Sequence, residues 1–205
     1  MARGPLYLIA DSQLLFGPPA RALAGLIGDR ADPSRVVASY LGASNGDAPA
    51  FYQLFREAMV SLGVTDVRHV HAPPDDNDRA HVTRADHAVE PGRGEARPPG
   101  RGIPAGEEDE IRARHEDGAI VVGLSAGAIQ LGHGYLELVA ATVDVHAEPD
   151  WEALTGTVEA QGGGRGLGIP RGGGLVVAGD GAMTAIRRAA IELTRGGRRE
   201  LVAQD

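Results

Sequence analysis

The sequence predicts an α/β fold built on a mainly parallel sheet. Three observations carry this. Leu6-Tyr7-Leu8-Ile9-Ala10 is a short unbroken apolar run, the pattern of a strand buried on both faces. Arg35-Val36-Val37-Ala38-Ser39-Tyr40-Leu41 reads the same way, and Val64 to Val70 follows as a third strand. Between them Phe51, Leu54, Phe55, Ala58, Met59 and Leu62 fall on one face of a helix. Strand, helix, strand in that order indicates a parallel crossover.

The elements follow in order. Asp47 reads as the N-cap of the first helix, Pro49 suits its first turn, and Gly63 fits its stop. From Ala72 to Gly106 Pro, Gly, Arg and acidic residues dominate, so about 72–106 is expected to be a long flexible loop. Glu107 to Glu116 reads as a short charged helix and Ala119-Ile120-Val121-Val122 as a buried strand. Small apolar residues after Ser125 suit a helix packed tightly on the sheet. Val143 to Val145, Val158 to Ala160 and Leu175 to Ala178 are weaker strand candidates, and a last helix is expected from about Ala182 to Thr194. With 205 residues and no internal repeat, residues 1–205 are expected to form one domain.

Composition narrows the function. The formal net charge is −8 and the sequence pI is about 5.3, which argues against nucleic acid as a partner because phosphate binding needs a basic face. With no cysteine, disulfides, thiolate zinc sites and a cysteine nucleophile are excluded. No apolar run approaches the ~18 residues that span a membrane, and the apolar run near Met1 is too short for a signal-peptide core, so the expected location is the cytoplasm. Gly162-Gly163-Gly164-Arg165-Gly166-Leu167-Gly168 fails the Gly-x-Gly-x-x-Gly spacing of dinucleotide folds, and no nucleotide cofactor is expected.

Chemistry concentrates at Gly123-Leu124-Ser125-Ala126-Gly127, where a buried strand runs straight into Gly-x-Ser-x-Gly and then into a helix-like segment. This is the context of a nucleophile elbow. The serine sits on a strained turn, flanking glycines let strand and helix approach, and the Ala126 amide points where an oxyanion would form. A plain strand-to-helix turn that contains a serine is the alternative. Of seven histidines, His146 follows the β-branched run Val143-Asp144-Val145 and is the candidate base at the same sheet edge; His133 is the second choice. Glu148, Asp144 and Glu137 are the candidate orienting carboxylates. His69 and His71 with Asp75, Asp76 and Asp78 could be read as a metal site, but the segment reads equally well as a solvated acidic loop, and no metal is expected.

At these residues the sequence resembles the peptidase E and cyanophycinase family. The resemblance rests on Gly123-Leu124-Ser125-Ala126-Gly127-Ala128, Gly42-Ala43-Ser44-Asn45-Gly46-Asp47 and Gly168-Ile169-Pro170-Arg171-Gly172-Gly173-Gly174-Leu175. It implies a three-layer, doubly wound sheet like that of class I glutamine amidotransferases (flavodoxin-like). It also implies metal-free serine hydrolysis of a peptide or isopeptide bond, often beside an aspartyl residue, and it places the histidine at His146. The family's Gly-Gly strand end has only Gly92 and Gly94 as counterparts here, Arg171 stands where a glutamate is frequent, and the cyanophycinase arginines are absent.

The expected protein is therefore a serine-type peptidase or amidase acting on a small peptide or amide. Ser125, His146 and Glu148 would be catalytic. The amides of Ala126 and Gly92 would form the oxyanion hole, and Arg165, Arg171 and Asn45 would bind substrate. The alternatives are a non-catalytic relative that binds a ligand or partner protein in the same pocket, and an acyl transferase. A homodimer is the assembly the reading leaves open.

Overall fold

In the computed structural model, which describes residues 2–15, 32–91, 107–147 and 149–204, the strand-helix-strand opening becomes one half of a mixed α/β fold. The strands are β1 (Leu6–Ile9), β2 (Val37–Leu41), β3 (Asp66–Val70), β4 (His87–Pro91), β5 (Ile120–Leu124), β6 (Thr142–Val145), β7 (Gly166–Ile169), β8 (Gly174–Val177), β9 (Met183–Ile186), β10 (Ala190–Thr194), β11 (Gly197–Leu201) and β12 (Ala203–Gln204). The α-helices are α1 (Pro49–Ser61), α2 (Asp76–Arg84), α3 (Glu107–Glu116), α4 (Ala126–Gln130) and α5 (Glu152–Ala160).

The strands form two sheets rather than one. The larger has the order β12-β9-β8-β1-β5-β4-β2-β3, and the smaller the order β11-β10-β7-β6. From β1 to β3 every neighbour in the larger sheet is parallel, while β8 runs antiparallel to β1. The chain order β1, β2, β3, β4, β5 against the spatial order β1-β5-β4-β2-β3 leaves the carboxyl ends of β1 and β5 side by side.

Period-two alternation assigns the core. Leu6, Leu8 and Val121 point to one face, where they meet Val82 of α2, Ile111 of α3, Ala128 of α4 and the inner residues Val143, Leu167 and Ile169 of the smaller sheet. Tyr7, Ile9, Ile120 and Val122 point to the other, against Phe55, Ala58 and Met59 of α1. Leu8 at 0% exposure and Ile9 at 1% mark the middle of the fold. Burying each such side chain contributes roughly 1.5–3 kcal/mol.

Four expectations need correction. The stretch from Ala72 is not all loop: α2 and β4 occupy it as far as Pro91, and 92–106 lies outside the described residues. Its acidic residues start α2, with Asp75 accepting the Asp78 amide at 2.7 Å in a capping box. The N-cap of α1 is Ala48, with Pro49 in the first turn; Asp47 instead has φ 56° and accepts the Ala72 amide at 3.2 Å. Val158 to Ala160 belong to α5, where Leu154 and Val158 turn one face inward. Ala182 to Thr194 is no helix but β9 and β10, broken at Arg187 with φ 62°. The Arg195-Gly196-Gly197 turn joins β10 to β11, and pairing on both sides of β10 overrides the helical propensity of its Ala, Glu and Leu.

His115, on α3, is buried and donates Nε2–H to the Gly4 carbonyl at 2.8 Å. Burial pushes its pKa below the ordinary 6.5. The folded chain thus favours the neutral ring while the unfolded chain takes up a proton near 6.5. The stabilisation is complete above that pH and declines as the pH falls below it. Thermal unfolding at pH 7 and pH 5 is expected to show a lower Tm at pH 5, with part of the difference lost in His115→Gln, which cannot titrate. An unchanged difference in the variant would assign the effect to other groups.

Candidate active site

β5 ends at Leu124 and the chain turns at once into α4, so Ser125 has no room for ordinary backbone angles. It adopts φ 55°, ψ −119°, a combination a non-glycine residue takes only when its surroundings impose it. Its own amide is bonded to the Ile9 carbonyl at the end of β1, at 2.8 Å, which fixes the turn to the neighbouring strand. Gly123 explains the first glycine of the motif. A Cβ there would lie 2.6 Å from the Gly127 carbonyl oxygen and 2.7 Å from the Ala128 Cα. Because these are backbone atoms, Gly123→Ala must displace α4. A stability loss of about 1–3 kcal/mol is expected in urea unfolding, and an unaltered midpoint would show that the turn tolerates the clash.

Ser125 is half-buried, and Ala126 is the first residue of α4. With five residues this helix contributes first-turn amides rather than a long dipole.

His146 comes from β6 of the smaller sheet, immediately after Val145. It has φ 74°; its amide is bonded to the Ile169 carbonyl at 3.1 Å and its Nε2 to the Ala10 carbonyl at 2.5 Å. A carbonyl only accepts, so Nε2 carries the proton and Nδ1 of the neutral ring carries the lone pair. Ala10 follows β1 and Ser125 follows β5, on strands roughly 5 Å apart. The imidazole is thus clamped beside the strand end that bears Ser125. Among the described residues no hydrogen bond joins it to Ser125 Oγ.

The candidate carboxylates separate. Glu148 lies outside the described residues. Glu137 is on the surface, 3.9 Å from the exposed second-choice base His133. Asp144 is half-buried and bonded to the Val145 amide at 2.8 Å; burial pushes its pKa above the ordinary carboxylate value, partly offset by that bond and by the charge of His146. Asp144 is therefore the described carboxylate whose charge reaches the imidazole.

The candidate binding residues separate as well. Arg171 lies on the β7–β8 loop, where the Gly172 amide donates to Asp11 at 2.7 Å, at the same sheet edge as Ser125. Its side chain is exposed. Arg165 is a correction. It precedes β7, is bonded to Glu192 and Met183, and lines a cavity with Arg3, Leu6, His115 and Gly179, at the amino end of β1 and away from Ser125. Asn45 is buried and its amide is spent on Tyr40, at 2.6 Å, and on the Ala48 amide, at 3.3 Å, so it shapes its loop. Gly92 lies outside the described residues. Pro91 is paired with Leu124, the residue before Ser125.

A serine-histidine-aspartate relay away from Ser125 escaped the sequence reading. Ser39 Oγ lies 2.8 Å from His81 Nδ1, and His81 Nε2 lies 3.0 Å from Asp66. Ser39 is 0% exposed in mid-strand, which denies it any substrate, so this relay braces α2 on β2 and β3. The His69 and His71 rings lie 4.0 Å apart and tilted by 32°, with His69 stacked on Tyr52 and edge-on to Tyr40. Among the described residues no three His, Asp or Glu side chains converge as a metal site needs, and no helix is long and apolar enough to cross a membrane.

Two solved structures share this fold. One is "a peptidase from an acI-B1 Actinobacterium", matched over 100% of this chain and 96% of that one with a TM-score of 0.75 and 16% identity. The other is a "Putative Peptidase E Protein from Listeria monocytogenes EGD-e", matched over 91% of this chain and 99% of that one with a TM-score of 0.66 and 13% identity. At these identities the likeness is one of fold. No protein-family model matches the chain, and no curated protein matches its sequence.

Proposed function

We propose that the protein is a serine hydrolase of the peptidase E type, on a class I glutamine amidotransferase-like sheet, that cleaves a peptide, isopeptide or amide bond in a small substrate. The carrying observation is the backbone of Ser125, φ 55° and ψ −119°, at the carboxyl end of a central parallel strand. The fold shared with two proteins described as peptidases supports the same reading.

In this reading Ser125 Oγ attacks the carbonyl carbon as its proton passes to Nδ1 of His146, whose Nε2–H stays on Ala10. The protonated ring then returns the proton to the leaving nitrogen, and water repeats the cycle on the acyl-enzyme. The amides of Ala126 and Gly92 hold the oxyanion. Glu148 is the proposed third member; with Nε2 committed to Ala10 and Nδ1 to Ser125, it acts on the ring through charge, as Asp144 does. Arg171 receives a substrate carboxylate, suiting aspartyl-containing peptides. Ligand binding without catalysis draws on one observation, the imidazole bonded to Ala10 rather than to Ser125. A fluorophosphonate probe separates the two: stoichiometric labelling of Ser125, located by peptide mass, is expected. Intact protein with no label after prolonged exposure favours the binding reading. Product analysis with an added amine separates hydrolysis from acyl transfer.

A further inference from the structure

A pocket of about 350 Å³ is lined by the carboxyl end of α4 and the loop after it, by β6 and by α5. Its wall carries Asp144, with Ile129 and Leu154 as apolar surface and Thr142, Thr157 and Gln161 as polar surface. Thr142 and Gln161 satisfy each other at 2.7 Å. Among the described residues the Asp144 carboxylate has one hydrogen bond, from the adjacent Val145 amide, and no arginine lines the cavity. The one imidazole in the wall, His133, leans on Glu137 at 3.9 Å.

A half-buried carboxylate in a recess of this size, unpaired by any basic side chain of the wall, calls for a cation that brings its own hydrogen-bond donors. The apolar surface beside it asks for a short hydrocarbon stem. We propose that this cavity binds a small protonated alkylamine, with the ammonium on Asp144 and the alkyl chain against Ile129 and Leu154. Burial, which lifts the Asp144 carboxyl above its ordinary range, is the penalty such a ligand relieves.

The test is calorimetric titration of the full chain with n-butylammonium chloride, without substrate, against sodium chloride as the ionic baseline and n-butanol as the uncharged isostere. Saturable binding of butylammonium alone is expected, weakened about tenfold or more in Asp144→Asn and abolished in Thr157→Phe, which fills the mouth from α5. The second variant decides the matter if the first fails to fold. Absent binding, equal binding of butanol, or binding that survives Thr157→Phe in folded protein would each overturn the proposal. Since no turnover is measured, its failure leaves the hydrolase reading intact, and the failure of that reading leaves this one intact.

Discussion

Ser125→Ala is expected to reduce kcat/KM by roughly 10⁴-fold or more while the fold survives. The loss is large because the hydroxyl is the bond-forming atom, and Ser39, the serine bonded to a histidine, is sealed in mid-strand at 0% exposure. The substitution changes one oxygen at a backbone already held in an unusual conformation by the Ile9 carbonyl and the α4 turn. Alanine at φ 55° costs only about 1–3 kcal/mol of strain, most of which serine already bears. The measurement is turnover of a panel of aspartyl and glutamyl dipeptides by both proteins, with circular dichroism as the folding control. Turnover within tenfold of the parent would remove Ser125 from the chemistry.

How much was legible in the sequence depended on whether local pattern and tertiary pairing agreed. Leu6 to Ala10, Arg35 to Leu41 and the 51–62 helix were readable because burial on two faces, or on one helical stripe, leaves a periodic apolar trace. The tight strand-to-helix turn at Ser125 was readable for a related reason: a close approach of strand and helix backbones that demands Gly123 writes itself into the sequence. Residues 183–194 were misread because Ala, Ile, Glu and Leu suit a helix locally, and only pairing with β7, β8 and β11 makes them strands. The second sheet was invisible for the same reason, since nothing in Val143 to Val145 says which strands it joins. Arg165 and Arg171, six residues apart, looked equivalent in sequence. β7 lies between them and delivers one to each end of the sheet, where Glu192 takes Arg165. The Ser39–His81–Asp66 relay could not be seen because its members lie on three elements, and spacing along the chain carries no trace of their convergence.

His146→Asn is expected to lower kcat/KM nearly as far as Ser125→Ala, by roughly 10³-fold or more, and combining the two should lower it little further. Asparagine is the informative replacement. It tolerates the left-handed backbone, φ 74°, better than alanine, so the bend after β6 is kept. Its amide sits at the δ position, short of where Nε2 meets the Ala10 carbonyl, and it offers no lone pair able to take the Ser125 proton. The backbone bend is therefore preserved while proton transfer and the bond to Ala10 are both removed, so urea unfolding is measured beside turnover to separate the two losses. The split between the two readings appears in the pH profile. The kcat/KM of the parent should fall along an acid limb, and the residual activity of His146→Asn should lack that limb. If His146→Asn retains activity within tenfold, or keeps the acid limb, the base is another group, and the bond to Ala10 marks His146 as a brace between the two sheets.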